Sequence, residues 1–266
     1  MELLSLDEYK KTIVSILFFI DRICNENNLT YMVFYGTLLG AVRHKGMIPW
    51  DDDIDIVMPR KDYEKLAEII NKGDYPFSFI DIHYNQDTIY IWGKVCDKQT
   101  ELHEHNFKKV KGYGAFVDVF PLDYAPNDER KQLKEKKHLH RLTILETHAS
   151  RTGFELSKST KTNVLRAIAY ALSRLFSPGF LIKRINHYLT YRNNIPTDYY
   201  RVLGGGVFPV DWLNKTIDIE FEGRLIKAPH KPEKVLKYCF GDYLKYPPKE
   251  EQVCKHTLQC YVIEKA

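Results

Sequence analysis

Aspartates are concentrated in the stretch 35–59, YGTLLGAVRHKGMIPWDDDIDIVMP, where it enters an apolar run. The alternation of acidic and apolar residues from Asp53 to Met58 predicts a strand. Side chains two apart on a strand share a face, so we expect the carboxylates of Asp53 and Asp55 to project together. Because like charges repel, this arrangement favours a cation between them. Paired carboxylate oxygens suit Mg²⁺, with Mn²⁺ as the alternative.

A further carboxylate stands alone in an apolar strand. Asp118 is at the centre of FVDVF, residues 116–120, and we expect Pro121 to end that strand. A buried carboxylate without a partner is costly. We therefore expect this strand to lie beside the one that carries the paired aspartates, so that Asp118 completes a metal site. Asp51 and Asp52 are expected to support the site or to form a solvated loop.

A Gly36-Thr37 turn opens a predicted helix just before the acidic stretch. Glycine lets a phosphate approach the backbone, and the N–H groups at a helix N-terminus bind anions. Arg43 and Lys45 extend from the same helix, and Lys94 adds a positive charge from another predicted strand. These residues are the candidates for binding a phosphorylated substrate. The alternative is that the two helix cations only pair with neighbouring aspartates and that Lys94 is an exposed strand residue.

The elements around these residues follow from the apolar periodicity. Helices are predicted at 6–28, 36–46, 62–71, 128–150, 161–191 (interrupted at 177–179) and 232–240, and strands at 31–35, 53–58, 77–82, 89–95 and 116–120, with a hairpin at 217–226. This order predicts an α+β, α/β-like fold with a mixed sheet flanked by helices over 1–125. A helical segment at 126–193 and a mixed C-terminal segment at 194–266 follow.

Composition excludes several classes of function. The chain of 266 residues is 44% hydrophobic and 28% charged, which is typical of a globular protein. Its net charge of +4 and pI of about 8.6 suit an anionic ligand. The pI lies below the value of about 9 expected for a nucleic-acid binder. Five cysteines, an odd number, and no secretory signal pattern predict free thiols in the cytoplasm.

An amphipathic pattern at 164–189 leaves two interpretations open. Its apolar face and flanking cations are Leu165, Ile168, Ala169, Leu172, Leu175 and Phe176 with Arg166, Arg174, Lys183 and Arg184. Such a face usually packs into a core. The alternative is peripheral contact with the inner face of a membrane. No run reaches the roughly 18 apolar residues of a membrane span.

The longest motif, YGTLLGAVRHKGMIPWDDDIDIVMPRKDYEKL at 35–66, resembles the signature of the LicD family. VDVFPLD at 117–123, FEGRLIKAP at 221–229 and FGDYLKYPP at 240–248 agree with it. The turn, the Asp-x-Asp strand and the third carboxylate also resemble the wider nucleotidyltransferase superfamily, to which fukutin and fukutin-related protein are related. The resemblance implies a single LicD-type domain over 1–266.

The resemblance also implies an activity. It is the Mg²⁺-dependent transfer of phosphocholine from CDP-choline to a sugar hydroxyl of a teichoic acid or lipopolysaccharide precursor, with release of CMP. By motif position, Asp53, Asp55 and Asp118 match the metal-binding catalytic carboxylates, and Gly36 and Thr37 match the phosphate-facing turn. The acceptor would be a lipid-linked precursor or an oligosaccharide. Other CDP-alcohol donors, and a binding protein without catalysis, are the alternatives.

A choline substrate would require an aromatic pocket, because a quaternary ammonium binds to the faces of aromatic rings. The candidates that lie near the motifs in sequence are Tyr35, Trp50, Tyr90, Trp92 and Tyr113.

Overall fold

A mixed sheet carries most of the predicted site residues. The computed structural model describes residues 2–154, 156, 160–254 and 258–263. Its strands are β1 (Glu2–Leu3), β2 (Met32–Val33), β3 (Asp55–Pro59), β4 (Phe77–Ile80), β5 (Gly93–Asp97), β6 (Thr100–Glu104), β7 (Phe116–Ala125), β8 (Tyr199–Val202), β9 (Gly206–Pro209), β10 (Thr216–Phe221), β11 (Arg224–Pro229) and β12 (Leu258–Val262). The main sheet runs β2-β3-β7-β5-β4, and β8 extends β7 and pairs with β9. β3 and β7 are parallel to each other.

Helices cover this sheet and form a separate group in the middle of the chain. They are α1 (Leu6–Glu26), α2 (Tyr35–His44), α3 (Arg60–Lys72), α4 (Glu129–Ser150), α5 (Thr160–Ser173), α6 (Pro178–Thr190), α7 (Val210–Leu213) and α8 (Pro232–Phe240). The α+β class predicted from the sequence is confirmed. No helix in the described ranges is both long enough and apolar enough to cross a membrane.

The first helix shows how the local sequence builds this layer. Ser5 and Glu8 form a reciprocal capping box that satisfies N–H groups at the helix start. The apolar residues at three- and four-residue spacing, among them Ile13, Ile16 and Ile20, are fully buried. They place α1 against β5 and β7, so the helix forms one wall of the core beneath the site.

The prediction that Pro121 ends its strand is wrong. β7 continues to Ala125, and Pro121 is the register partner of Met58 on β3. On its other side, β5 pairs with β7 only as far as Val119, and β8 begins its pairing at Asp123. Pro121 therefore occupies the gap between two neighbouring strands, where its missing N–H interrupts no ladder.

Two strand boundaries also differ from the prediction. Residues 89–92 are not extended strand, and β5 begins at Gly93. Asp53 precedes β3, which begins at Asp55. Short strands bordered by polar residues, such as β6, β8 and β9, had no clear period-two pattern and were not predicted as strands.

The middle helices are tied to the sheet by one buried acid. Glu135 on α4 accepts hydrogen bonds from Arg201 on β8 at 2.6 Å and from the Nη2 of Arg192 at 3.0 Å. The hydroxyl of Tyr191 donates to the same carboxylate at 3.0 Å. This buried network joins α4, the end of α6 and β8, because a buried carboxylate requires such partners.

A second buried acid on α4 predicts a pH-dependent stability. Burial raises the pKa of Glu146 from 4.5 to about 7. Between these values the folded state holds a proton that the unfolded state has released, so stability falls as pH rises through this window. We expect Glu146→Gln to raise the free energy of unfolding by about 1–3 kcal/mol above pH ~7 and to have little effect below pH ~4.5.

Urea unfolding at both ends of this window measures the effect. Glu129→Gln, a change at an exposed position of the same helix, is the control. Equal stability changes at both pH values would contradict the assignment to Glu146.

Candidate active site

Three charged residues lie in one row across adjacent strands. Asp118 on β7 is the register partner of Asp55 on β3 and also of Lys94 on β5. All three side chains are buried. The predicted proximity of the FVDVF strand to the Asp-x-Asp stretch is thus confirmed, although the two aspartates lie more than sixty residues apart in sequence.

Asp118 is held by two donors. The Nζ of Lys94 lies 2.6 Å from its Oδ1, and the indole Nε1 of Trp92 donates to the same oxygen at 2.7 Å. Lys94 also lies 3.6 Å from the ring centroid of Phe116 and 4.7 Å from that of Tyr90. Lys94 is therefore a buried partner of Asp118 rather than an exposed strand residue, and aromatic faces help to hold its charge.

Asp55 has much less compensation. Its pKa is raised, first by burial and then by the negative charges of Asp53, Asp118 and Asp51, while Lys94 acts in the opposite direction. Its backbone N–H donates to the Thr37 hydroxyl at 2.8 Å, and this bond joins α2 to β3. The carboxylates thus carry an excess of negative charge at this point.

This excess suits a hard divalent cation, and the chemistry of the donor set fits one. Within the described residues, however, no group of three or more His, Cys, Asp or Glu side chains is already arranged as a metal site. Asp55 and Asp118 are adjacent through β-sheet register, whereas Asp53 approaches from the segment before β3. Side-chain movement would be needed for three carboxylates to share one ion.

The start of α2 lies against the acidic segment. A Cβ on Gly36 would come within 2.6 Å of Oδ2 of Asp51, so a larger residue at this position would displace the Asp51 carboxylate from the start of the helix. The residue before it, Tyr35, has a left-handed φ of 42°. No side-chain hydrogen bond caps the helix at Phe34. The N-cap residue itself therefore gives the first N–H groups of α2 no side-chain acceptor, and the helix start lies against Asp51 of the carboxylate segment.

A cavity of about 540 Å³ opens beside this segment. Its lining includes Gly36, Arg43, Trp50, Asp51, Asp53, Phe240, Tyr243 and Tyr246. The N-terminal motif thus forms one wall and the C-terminal segment forms the other. The sequence patterns did not indicate Tyr243 and Tyr246 as lining residues, although FGDYLKYPP was a recognisable motif.

Arg43 connects the two walls. Its guanidinium lies 4.4 Å from the ring centroid of Tyr246, and its Nη1 donates to the carbonyl of Tyr243 at 3.3 Å. Its Nε is buried without a hydrogen-bond partner. A buried donor without a partner is costly, so this atom favours an acceptor on a ligand in the cavity.

Lys45 is not brought to the site. It ends α2 in the left-handed region with φ of 56°. Its Nζ forms an exposed ion pair with Glu220 of the β10–β11 hairpin at 3.0 Å. The alternative prediction, that Lys45 pairs with the neighbouring aspartates, is therefore wrong. The chain reverses at Lys45, and its side chain extends toward the hairpin.

The aromatic candidates are distributed over three environments. Tyr90 and Tyr113 surround Lys94. Trp92 contacts Phe120 and Asp118, and Tyr35 is packed between Phe34 and Phe120. Trp50 alone among the five lines the cavity, where its ring centroid lies 6.4 Å from that of Tyr246.

Comparison with known proteins shows that the part of the chain carrying these residues is similar to a known domain. Residues 28–141 match the sequence profile described as LicD/FKTN/FKRP, nucleotidyltransferase domain. The matched range contains Gly36, Asp53, Asp55, Lys94 and Asp118.

Relatives extend the similarity over the chain. Lipopolysaccharide cholinephosphotransferase LicD of Haemophilus influenzae is 29% identical over 281 aligned residues, which cover 99% of this chain and 100% of that protein. An uncharacterized protein of Rickettsia prowazekii is 48% identical over 119 residues, or 44% of this chain and 42% of that protein. One from Rickettsia typhi is 30% identical over 117 residues, with 44% and 36% covered. The LicD-type similarity therefore covers residues 28–141 by the family profile and nearly the whole chain by its likeness to the Haemophilus influenzae protein.

Proposed function

We propose that this protein is an enzyme that transfers phosphocholine from CDP-choline to a sugar hydroxyl of a cell-surface glycopolymer precursor. The observation that carries the proposal is the row of Asp55, Asp118 and Lys94, together with a cavity lined by Asp53 and by aromatic and cationic residues. The near full-length similarity to a lipopolysaccharide cholinephosphotransferase supports this substrate class. Lipopolysaccharide is the acceptor type that the relative's name supports, and a teichoic acid precursor is the alternative.

The proposed reaction is a substitution at phosphorus. The acceptor oxygen forms a bond to the phosphorus next to choline, the bond from that phosphorus to the bridging oxygen breaks, and CMP leaves with the electron pair. The acceptor hydroxyl loses its proton to a carboxylate or to water. Positioning and charge stabilisation provide most of the rate enhancement in reactions of this kind.

In this proposal, each residue of the site has a role that follows from where it lies. Gly36 and the N-terminus of α2 allow the donor phosphates to approach the backbone. Arg43 supplies its unpartnered Nε and its positive charge from the cavity wall. Lys94 is committed to Asp118 and acts by holding that carboxylate in place.

The donor set is suited to Mg²⁺, or alternatively Mn²⁺, held by Asp53, Asp55 and Asp118. When bound, such an ion would neutralise charge on the donor pyrophosphate. We further propose that residues 1–266 act as one LicD-type domain, in which residues 194–266 close the cavity formed by the first 125.

Trp50 and Tyr246 are the proposed contacts for the quaternary ammonium. Their rings form a corner in the cavity, with an interplanar angle of 59°. A desolvated cation over a tryptophan face gains about 2 kcal/mol. Arg43 already occupies one approach to Tyr246, so we place choline against Trp50 and the phosphates toward Arg43.

Trp50→Ala is expected to raise KM for CDP-choline about tenfold, because loss of about 1.4 kcal/mol in binding corresponds to that factor. The turnover number should change less, since the ring contacts the same group in the ground and transition states. Trp50→Phe should retain most of the affinity, and Trp212→Ala on α7 is the matched control. An unchanged KM in folded Trp50→Ala would place choline elsewhere.

Metal-dependent release of CMP from CDP-choline, with glycopolymer acceptors, tests the proposed function directly. Turnover with CDP-choline supports it. Turnover only with a different CDP-alcohol would assign the same chemistry to another donor, and metal binding without turnover would favour a non-catalytic protein.

We expect the reaction to take place in the cytoplasm.

A further inference from the structure

The α5–α6 hairpin exposes its apolar side to solvent. Leu165 is 69% exposed, Ile168 53%, Leu172 49% and Leu175 73%. These residues follow the three- and four-residue spacing of one helix face. Phe176 and Phe180 continue the surface, with stacked rings whose centroids lie 5.7 Å apart. We call these six residues the outer apolar face.

The opposite face of α5 is the one that packs. Ser173 is fully buried, and Tyr170 contacts His148 on α4. The guanidinium of Arg174 donates to the carbonyls of His148 and Arg151. α5 therefore directs polar and aromatic groups toward the protein and leucines toward solvent, so the interpretation of this stripe as core is wrong for α5. In α6 it is correct, since Leu181, Ile182 and Ile185 are buried.

The charge of the chain is one-sided within residues 130–190, which include the outer apolar face. Between residues 130 and 190 the acidic residues of the sequence are Glu135, Glu146 and Glu155. Glu135 is neutralised by arginines and Glu146 is buried, while Glu155 lies outside the described residues. Lys183 and Arg184 on α6 are exposed one turn beyond Phe180. An apolar surface bordered by cations is complementary to an anionic lipid surface.

We propose that the outer apolar face, with Lys183 and Arg184, binds the surface of an anionic membrane. A second copy of the chain is a poorer occupant, because a symmetric contact would bring the same cations together. A lipid surface accepts the apolar residues among its acyl chains and pairs the cations with its phosphates.

The location of the outer apolar face suits the proposed function. The inference rests on that function only in one respect, which is that a lipid-linked acceptor would lie at the membrane. α6 packs against the connection between β4 and β5: the Nδ2 of Asn186 lies 3.1 Å from the Nε2 of His83, and a Cβ on Gly179 would lie 2.9 Å from the carbonyl oxygen of Gln86. The same connection ends at Trp92, which donates to Asp118. The membrane-facing hairpin is thus joined to the loop that borders the carboxylate row.

Vesicle co-sedimentation of the full chain tests the proposal without requiring turnover. We expect binding to vesicles of phosphatidylglycerol and phosphatidylethanolamine, weaker binding to pure phosphatidylcholine vesicles, and a decrease in binding with added salt. Leu165→Gln/Leu175→Gln should lower the partition coefficient about tenfold or more through lost apolar burial. Lys183→Glu/Arg184→Glu should lower it by a similar factor through lost charge attraction.

Matched controls separate this surface from general hydrophobicity and net charge. Leu3→Gln/Leu225→Gln changes two leucines of similar exposure in β1 and β11. Lys11→Glu/Lys61→Glu changes net charge equally on α1 and α3. Both controls should bind as the wild type does, and thermal unfolding should show that all variants are folded.

Absence of vesicle binding would overturn the proposal, as would equal binding by the hairpin variants and the wild type. Concentration-dependent dimerisation that the leucine variant abolishes, without vesicle binding, would assign the face to a second copy. CMP release from CDP-choline is measured separately, without vesicles. If the wild type released no CMP, only the proposed function would be contradicted. If the wild type did not bind vesicles, only this inference would be contradicted.

Discussion

Asp55→Asn is expected to lower phosphocholine transfer about a thousandfold while the protein stays folded with equal or greater stability. The activity loss follows because the substitution removes a carboxylate that would hold the cation facing the donor phosphates, and electrostatic stabilisation of this kind is worth ~10²–10³ in rate. The stability gain follows because burial and the neighbouring negative charges raise the pKa of Asp55, so its ionised form is unfavourable in the folded state.

Asp118→Asn should reduce activity similarly but have the opposite effect on stability. Its partner Lys94 is buried and ion-paired to Oδ1 at 2.6 Å. Removing one partner leaves a buried charge uncompensated, which costs about 3 kcal/mol. The two neighbouring aspartates are therefore distinguished by the sign of their stability change. If both acids had equivalent surroundings, the two substitutions would change stability in the same direction.

The measurements are CMP release and urea unfolding for both variants at the same pH. Asp74→Asn, an exposed aspartate after α3, is the matched control and should change neither quantity. Near-normal turnover in Asp55→Asn would contradict the assignment of the row as the catalytic centre. Equal destabilisation by both variants would contradict the charge account.

Asp123→Ala is expected to lower the free energy of unfolding by about 3–5 kcal/mol. Asp123 accepts from Arg60 at both oxygens, from Nε at 2.8 Å and Nη2 at 2.6 Å, and from Asn193 at 2.6 Å. Arg60 is only 9% exposed and Asp123 only 2% exposed. The loss is a large part of the ~5–15 kcal/mol that stabilises an ordinary domain.

A double variant distinguishes the loss of the Arg60–Asp123 ion pair from the cost of leaving the Arg60 charge buried without a partner. Arg60→Met/Asp123→Leu should recover much of the stability, because apolar replacement of a buried pair is often close to neutral. Glu68→Gln, at an exposed ion pair with Lys65 and Lys72, should have no measurable effect. If the double variant were as unstable as Asp123→Ala, the carboxylate's other hydrogen bonds would account for the loss.

Asp123 shows what the motif VDVFPLD leaves open. The apolar strand around Asp118 predicted a site role for that residue, whereas the sequence assigned no role to Asp123. In the structure, Asp118 lies in the charged row, whereas Asp123 lies five residues further along β7 and anchors Arg60 and the segment after α6. The assignment depends on which strands flank β7 at each position, and that is a property of the sheet.

Local sequence determined much of what was predicted. The helices between residues 6 and 72, the hairpin around Glu222-Gly223 and the apolar strand that begins at Asp55 follow from capping, turn residues and apolar periodicity, which act over a few residues. The one-row arrangement of Asp55 and Asp118 was also predictable, because a carboxylate within an apolar strand requires a nearby charge partner. The motif at 35–66 was sufficient to indicate the family.

Only the tertiary structure decided the remaining features, because they depend on neighbours that are distant in sequence. It buried Lys94 beside Asp118, directed Lys45 toward Glu220, and brought Tyr243 and Tyr246 across the cavity from Trp50. It also turned the apolar side of α5 outward, which periodicity cannot decide, since a helix with one apolar face has the same sequence pattern whether that face meets a core or a membrane.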